Sequence, residues 1–173
     1  MTGSPSCSLP NALAELAASD PRGPTGSAAR DSFRNLSDSP VLLEVGIGRR
    51  PDVARALAGT GYRVIAIDVV DRPVPDEVAF ARLDVHDLAM SASPRRSLPI
   101  PEADADAAPV ALVYGRNLPA EIQPATVRLA ERLDAAAAFT TLGFEDPSPS
   151  LRVERRTVGS DTLYVVSESR GQS

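Results

Sequence analysis

The amino-acid sequence predicts an α/β fold built on a mainly parallel sheet of about six to seven strands, with helices on both faces. Three observations carry that expectation. Val41–Val45, Gly46–Arg50, Asp52–Ala58 and Tyr62–Asp68 read as strand, tight turn, helix and strand, a βαβ unit that requires a parallel pair and a right-handed crossover. Three more apolar runs follow at Val78–Leu83, Val110–Tyr114 and Ala136–Thr141. Last, Leu151–Val158 and Thr162–Ser167 alternate around Gly159-Ser160, the pattern of an antiparallel hairpin.

Each element has a local reason. Val41-Leu42-Leu43-Glu44-Val45 is a short apolar run holding one acid, suited to a buried strand. Pro51 is a favoured residue at a helix start, and Val53, Ala56 and Leu57 fall on one face of the helix after it. Gly61 then supplies the left-handed backbone that ends it. Ser91–Pro109 is rich in Pro, Ser, Ala and Asp and reads as a loop replacing most of a crossover helix. Pro119–Leu133 is the next helix, with Pro124 in its first turn and Asn117 placed as its N-cap.

Residues 1–39 read as a mostly disordered leader punctuated by Gly, Ser and Pro. Short helical pieces are expected at Asn11–Ala18 and Ala28–Leu36, the second docking on the domain and most of 1–26 staying mobile. The folded domain spans 40–169, and 170–173 form a tail.

Composition removes several classes of function. The chain has 173 residues, and its 18 basic side chains, all Arg, face 23 acidic ones for a net charge of −5. That balance, without a basic run, argues against a general nucleic-acid binder. A single Cys and a single His cannot build a zinc site from those residues alone, and Cys7 cannot form an internal disulfide. No apolar stretch approaches the ~18 residues of a membrane span, and Met1–Pro10 lacks the pattern of a secretion signal. A soluble cytoplasmic protein acting on a small molecule is the expectation. Aromatics make only 4% of the chain, so Ala, Val, Leu and Ile must form the core.

Glu44-Val45-Gly46-Ile47-Gly48 resembles the first motif of Rossmann-like S-adenosylmethionine (SAM) methyltransferases. That resemblance implies a sheet order of 3-2-1-4-5 plus the closing hairpin. It implies cofactor contacts from Glu44, Gly46 and Gly48, from Asp68 toward the ribose hydroxyls, and from Asp84 near the adenine amine. More closely, Glu44–Val53 and Leu112–Pro119 resemble the pattern of UPF0146, a largely archaeal, uncharacterised family of minimal Rossmann-like proteins. The resemblance covers about residues 41–168 and implies the fold more than an activity. Arg50 stands where the methyltransferase pattern has a third glycine, and Pro51 where the NAD fingerprint has one.

Arg49, Arg50 and Arg116 are expected to converge at the carboxyl edge of the sheet, since strands one and four are neighbours in that order. Arg forks bind phosphate or carboxylate in a bidentate way, so an anionic ligand is one reading, with Asn117 beside it. The other is a structural ion pair to Glu44, Asp52 or Asp84. Thr140 and Thr141 end the fifth strand on the same side, as ligand hydrogen-bonders or as ordinary strand residues, and His86 reads as a general base or, more plainly, as an exposed loop residue. No metal site and no catalytic residue is assigned. Two functions remain: a minimal SAM-dependent methyltransferase-like protein, or a non-catalytic nucleotide-binding or regulatory module. An NAD(P)-dependent oxidoreductase ranks third.

Overall fold

The computed structural model describes residues 8–19, 39–101 and 108–167. Its seven strands form one sheet: β1 (Val41–Val45), β2 (Arg63–Asp68), β3 (Val78–Arg82), β4 (Val110–Gly115), β5 (Ala136–Phe139), β6 (Val153–Val158) and β7 (Asp161–Val166). The order is β3-β2-β1-β4-β5-β7-β6. The first five strands run parallel, and the hairpin adds β7 antiparallel to β5. The order reverses between β1 and β4, the position where open α/β sheets form a ligand crevice. The expected sheet, hairpin included, is therefore the one observed.

Among the described residues, four α-helices cover the two faces: α1 (Leu9–Ala18), α2 (Asp52–Gly59), α3 (Val85–Met90) and α4 (Gln123–Arg132). Val41, Leu43, Val45, Ile65 and Ile67 pack with Val85, Leu88, Leu129 and Ala130 on one face. Leu42, Val64, Ala66, Leu112 and Tyr114 pack with Leu13, Val53 and Leu57 on the other. β1 and β2 are thus apolar on both sides, which is why they read as continuous runs rather than as alternating ones. No helix among the described residues is long and apolar enough to cross a membrane.

Several boundaries and roles differ from the sequence expectations. The helix placed at Asn11–Ala18 starts at Leu9 and is built into the core instead of belonging to a loose leader. Leu9, Leu13 and Ala17 recur every four residues and are buried, and the Tyr62 hydroxyl donates to the Ala14 carbonyl at 3.2 Å. α2 alone leaves part of that sheet face uncovered, and α1 covers it over β4 and β5. The piece at Ala28–Leu36 and the tail 170–173 lie outside the described residues.

α3 was not expected. Asp84 ends the segment after β3 in extended backbone, and its carboxylate accepts the His86 N–H at 2.8 Å, an N-cap that starts the helix. Within Ser91–Pro109, Pro94–Ser97 forms a 3-10 turn, and 102–107 lie outside the described residues. Arg132 ties this region to α4 through the carbonyls of Ala89 and Ser91. Asn117 is not a helix cap: α4 begins at Gln123, after a turn in which the Ile122 N–H meets the Pro119 carbonyl at 3.0 Å. Asn117 instead adopts left-handed backbone at φ +49°.

Candidate functional site

The carboxyl ends of β1, β2 and β4 enclose a cleft of about 240 Å³. Val45 and Gly46 supply its floor, Ile67, Asp68 and Val69 one wall, Asp84 and His86 a second. Arg116, Asn117 and Leu118 line the side nearest β4.

The floor is set by the turn after β1. Gly46 and Gly48 have φ of +69° and +61°, and the Gly46 N–H bonds the Ile67 carbonyl at 2.8 Å. A Cβ on Gly46 would meet nothing within 4 Å, so backbone handedness, and not space, demands glycine there. Gly115, at the end of β4, is required by space: a Cβ would lie 2.6 Å from Leu118 Cδ1 and 3.1 Å from the Val45 carbonyl. Close approach of β1 and the chain after β4 thus closes the bottom of the cleft.

Asp68, the last residue of β2, is nearly buried and binds the turn to the wall. Its Oδ2 accepts the Gly48 N–H at 3.0 Å and Arg72 Nε at 3.3 Å, while Oδ1 accepts the Val70 N–H at 3.0 Å. A carboxylate offers roughly four acceptor positions, so these three bonds leave one open, and the Arg72 contact is the one made by a mobile side chain.

On the β4 side, Arg116 is committed to structure as well as to the cleft. Its NH1 bonds Asp52 Oδ1 at 3.0 Å and the Arg50 carbonyl at 3.4 Å. Asn117 is exposed, its N–H held by Thr140 Oγ1 at 2.8 Å, and the Leu118 N–H bonds the Thr140 carbonyl at 2.8 Å. Thr140 therefore staples the chain leaving β4 to the end of β5. Thr141 Oγ1 bonds the Glu145 carbonyl at 2.8 Å within the next turn.

Of the sequence candidates, Gly46, Asp68, Asp84, Arg116 and Asn117 line the cleft. Gly48 supports it through Asp68. Arg49 and Arg50 are exposed on the turn, and their guanidinium groups make no bond among the described residues. Glu44 is elsewhere. It is fully buried on the α1/α2 face, where the Tyr114 hydroxyl donates to its Oε2 at 2.7 Å, and its Oε1 has no hydrogen-bond partner among the described residues. Burial without a second donor pushes the Glu44 carboxyl up from 4.5 to about 7, against the pull of the Tyr114 bond and the Arg116 charge. Burial also holds the Tyr114 hydroxyl well above its ordinary range, with the Glu44 charge adding to the effect.

Two residues escaped the sequence reading, and a third, His86, was placed on a loop instead of a helix. His86 lines the cleft from the first turn of α3, and the signal for that was Asp84 two residues before it, a capping residue. Val69, half exposed, joins the wall after Asp68. Gln123 is fully buried and bridges two loops, donating to the Leu118 carbonyl at 2.9 Å and accepting the Ser148 N–H at 2.7 Å. No local pattern distinguishes it from any other helical Gln.

The family description "Uncharacterised protein family (UPF0146)" matches residues 30–169. The chain belongs to UPF0146. Two UPF0146 proteins from strains of Halobacterium salinarum are each 44% identical over 128 residues, covering 74% of this chain and 88% of theirs. Among solved structures, the bifunctional kinase-methyltransferase WbdD aligns at 12% identity with a TM-score of 0.44, over 75% of this chain and 35% of that one. The MycE methyltransferase of mycinamycin biosynthesis, solved with S-adenosylhomocysteine, aligns at 13% identity with a TM-score of 0.47, over 79% of this chain and 43% of that one. These likenesses are loose, and the fold rests on the strand order.

Proposed function

We propose that this UPF0146 member binds a nucleoside-type cofactor, S-adenosylmethionine, in the cleft and acts as a minimal methyltransferase-like protein on a small anionic substrate. The observation that carries the reading is Asp68: a carboxylate at the end of β2, facing a crevice at the topological switch point and floored by a left-handed glycine turn. A ribose diol needs two acceptors. One position is open on Asp68, and displacement of Arg72 frees a second.

The cleft volume lies just below the roughly 300–1,000 Å³ of ordinary ligand pockets, which suits a nucleoside body. The rest of a ligand would lie at the mouth, where Arg116 and Asn117 stand and where Arg49 and Arg50 are exposed on the adjoining turn. When bound, SAM supplies a methyl group already activated for transfer. This chain's residues would hold the ribose through Asp68, orient an anionic group through Arg116, and shield one side with Val69. No residue is assigned to proton transfer.

A second reading, a non-catalytic nucleotide-binding module, is favoured by Arg50, which stands where the methyltransferase pattern has a third glycine. Thermal shift with SAM, S-adenosylhomocysteine, NAD(P) and mononucleotides separates the two, because a ligand that binds only the folded state raises the melting temperature by mass action. Stabilisation by S-adenosylhomocysteine that disappears in Asp68→Ala supports the first reading. Stabilisation by mononucleotides alone favours the second, and stabilisation by NAD(P) alone favours an oxidoreductase. No response to any of them removes the nucleoside reading.

A further inference from the structure

Glu44 and Tyr114 face each other in register on β1 and β4, both fully buried. Two residues beyond Tyr114 stands Arg116, and its NH1 reaches Asp52 at the start of α2. Glu44–Tyr114 and Arg116–Asp52 are therefore two bonded pairs at the same end of β1 and β4, and Arg116 is the member that also lines the cleft. The Arg116 charge favours the ionised form of Glu44, and Asp52 opposes it.

We propose that Glu44 is a positioning residue for Arg116: on losing its proton, Glu44 draws the guanidinium away from Asp52 toward its own unpartnered Oε1, and the cleft loses part of its hold on an anionic ligand. The driving force is the cost of a buried carboxylate oxygen without a donor, which is far larger for the ionised group than for the neutral acid. Arg116 can meet that demand. It carries five N–H donors, and only NH1 is bonded among the described residues.

Among the described residues, Arg116 and Asp52 are the charged groups that act on Glu44. Its β2 neighbour is Ala66. α1 presents Leu13 and α2 presents Val53 and Leu57 to this core, while Glu15 and Arg55 on those helices are exposed. The setting also places the proton change near neutral pH, since burial lifts the carboxyl to about 7.

The coupling is reciprocal: an anion that engages Arg116 must favour the protonated form of Glu44. That part rests on the anionic ligand proposed above, whereas the link between Glu44 and Arg116 does not. The first experiment therefore needs no ligand. Glutamate carboxyl resonances are followed through pH 5–9 by NMR, with Glu44→Gln used to assign the signal. Arg116→Gln should raise the Glu44 titration by about one pH unit, and Arg116→Lys, which keeps the charge, should restore most of it. A Glu44 titration unmoved by Arg116→Gln overturns the proposal.

The second experiment measures affinity for adenosine 5′-sulfate, whose charge is constant over this range, with neutral adenosine as control. It uses a His86→Asn background, which takes the one imidazole out of the cleft wall. Affinity for the sulfate should fall at least about fivefold from pH 6 to pH 8, and Glu44→Gln should abolish that fall. The same fall with Gln at position 44 overturns the proposal. If neither nucleoside binds, the proposed function fails while the carboxyl titration still decides the link to Arg116.

Discussion

Glu44 and Asp68 stand near the carboxyl ends of adjacent parallel strands, in a register that pairs Glu44 with Ala66 and Val45 with Ile67. Both are buried acids, yet their surroundings have little in common. Asp68 closes β2 at the cleft and receives two backbone N–H groups and an Arg. Glu44, one residue short of the end of β1, turns into the α1/α2 core and receives one phenol. A displacement of two residues along the sheet separates a carboxylate solvated by protein donors from a carboxyl that keeps its proton to about pH 7.

The largest expected effect comes from breaking this contrast on the Glu44 side. Its folded-state value lies above the unfolded one, so the native state binds the extra proton between 4.5 and about 7. Stability is therefore full below pH 4.5 and declines as pH rises to about 7, levelling off above it, by roughly 3 kcal/mol from this group alone. Glu44→Gln should remove that part of the slope. Urea melts of both proteins from pH 4 to 8 check it, and parallel pH profiles would refute the assignment. Tyr114→Phe should deepen the decline, because the ionised carboxyl then loses the phenol that donates to its Oε2, at a cost of about 1–3 kcal/mol at pH 8.

A smaller effect tests the Asp68 side. Gly48 donates to Asp68 from a backbone at φ +61°. Gly48→Ala should cost about 1–2 kcal/mol, the penalty of placing a Cβ in left-handed backbone, and should weaken nucleoside binding by loosening the Asp68 carboxylate. Calorimetric unfolding measures the first and ligand thermal shift the second. Loss of stability with unchanged binding would detach the turn from the cleft.

These two sites also mark how far the sequence could be read. β1 to β5 were legible because their apolar runs lie between glycine, proline and acidic breakers, and the Gly46–Gly48 turn followed from residue type alone. Asp68 was legible as the end of a strand. Glu44 was legible as an acid in a buried strand, but its setting depends on Tyr114, seventy residues away, and on a register shift between β1 and β4 near Val41 and Leu42. Local patterns carry neither. α1 was found as a helix but misplaced as a leader, since its Leu9-Leu13-Ala17 stripe does not name the surface it covers. Asp84 was read for a ligand, although a capping residue before Val85-His86-Asp87-Leu88 is the local signal that α3 begins. Asn117 failed in the opposite sense: a capping residue type occupies a turn whose conformation is imposed by Thr140.

The smallest expected effect is also the one that best separates the two acids. Arg72 bonds Asp68 at 3.3 Å from a side chain about a quarter exposed. Such a pair contributes about 0.2–1 kcal/mol, and salt screens it further. Arg72→Ala should therefore change stability by less than about 1 kcal/mol, with the difference shrinking at high salt. Its effect on binding should have the opposite sign. Without Arg72, Asp68 keeps both backbone donors, so the carboxylate stays in place and gains a free acceptor position. A ribose diol then binds without displacing a guanidinium, and adenosine affinity should rise about two- to fivefold, by no more than the free energy of the lost pair. Isothermal titration of wild type and Arg72→Ala at two salt concentrations measures this. A fall in affinity would mean that Arg72 orients Asp68 instead of competing for it, and the carboxylate would then depend on its side-chain partner as Glu44 does on Tyr114.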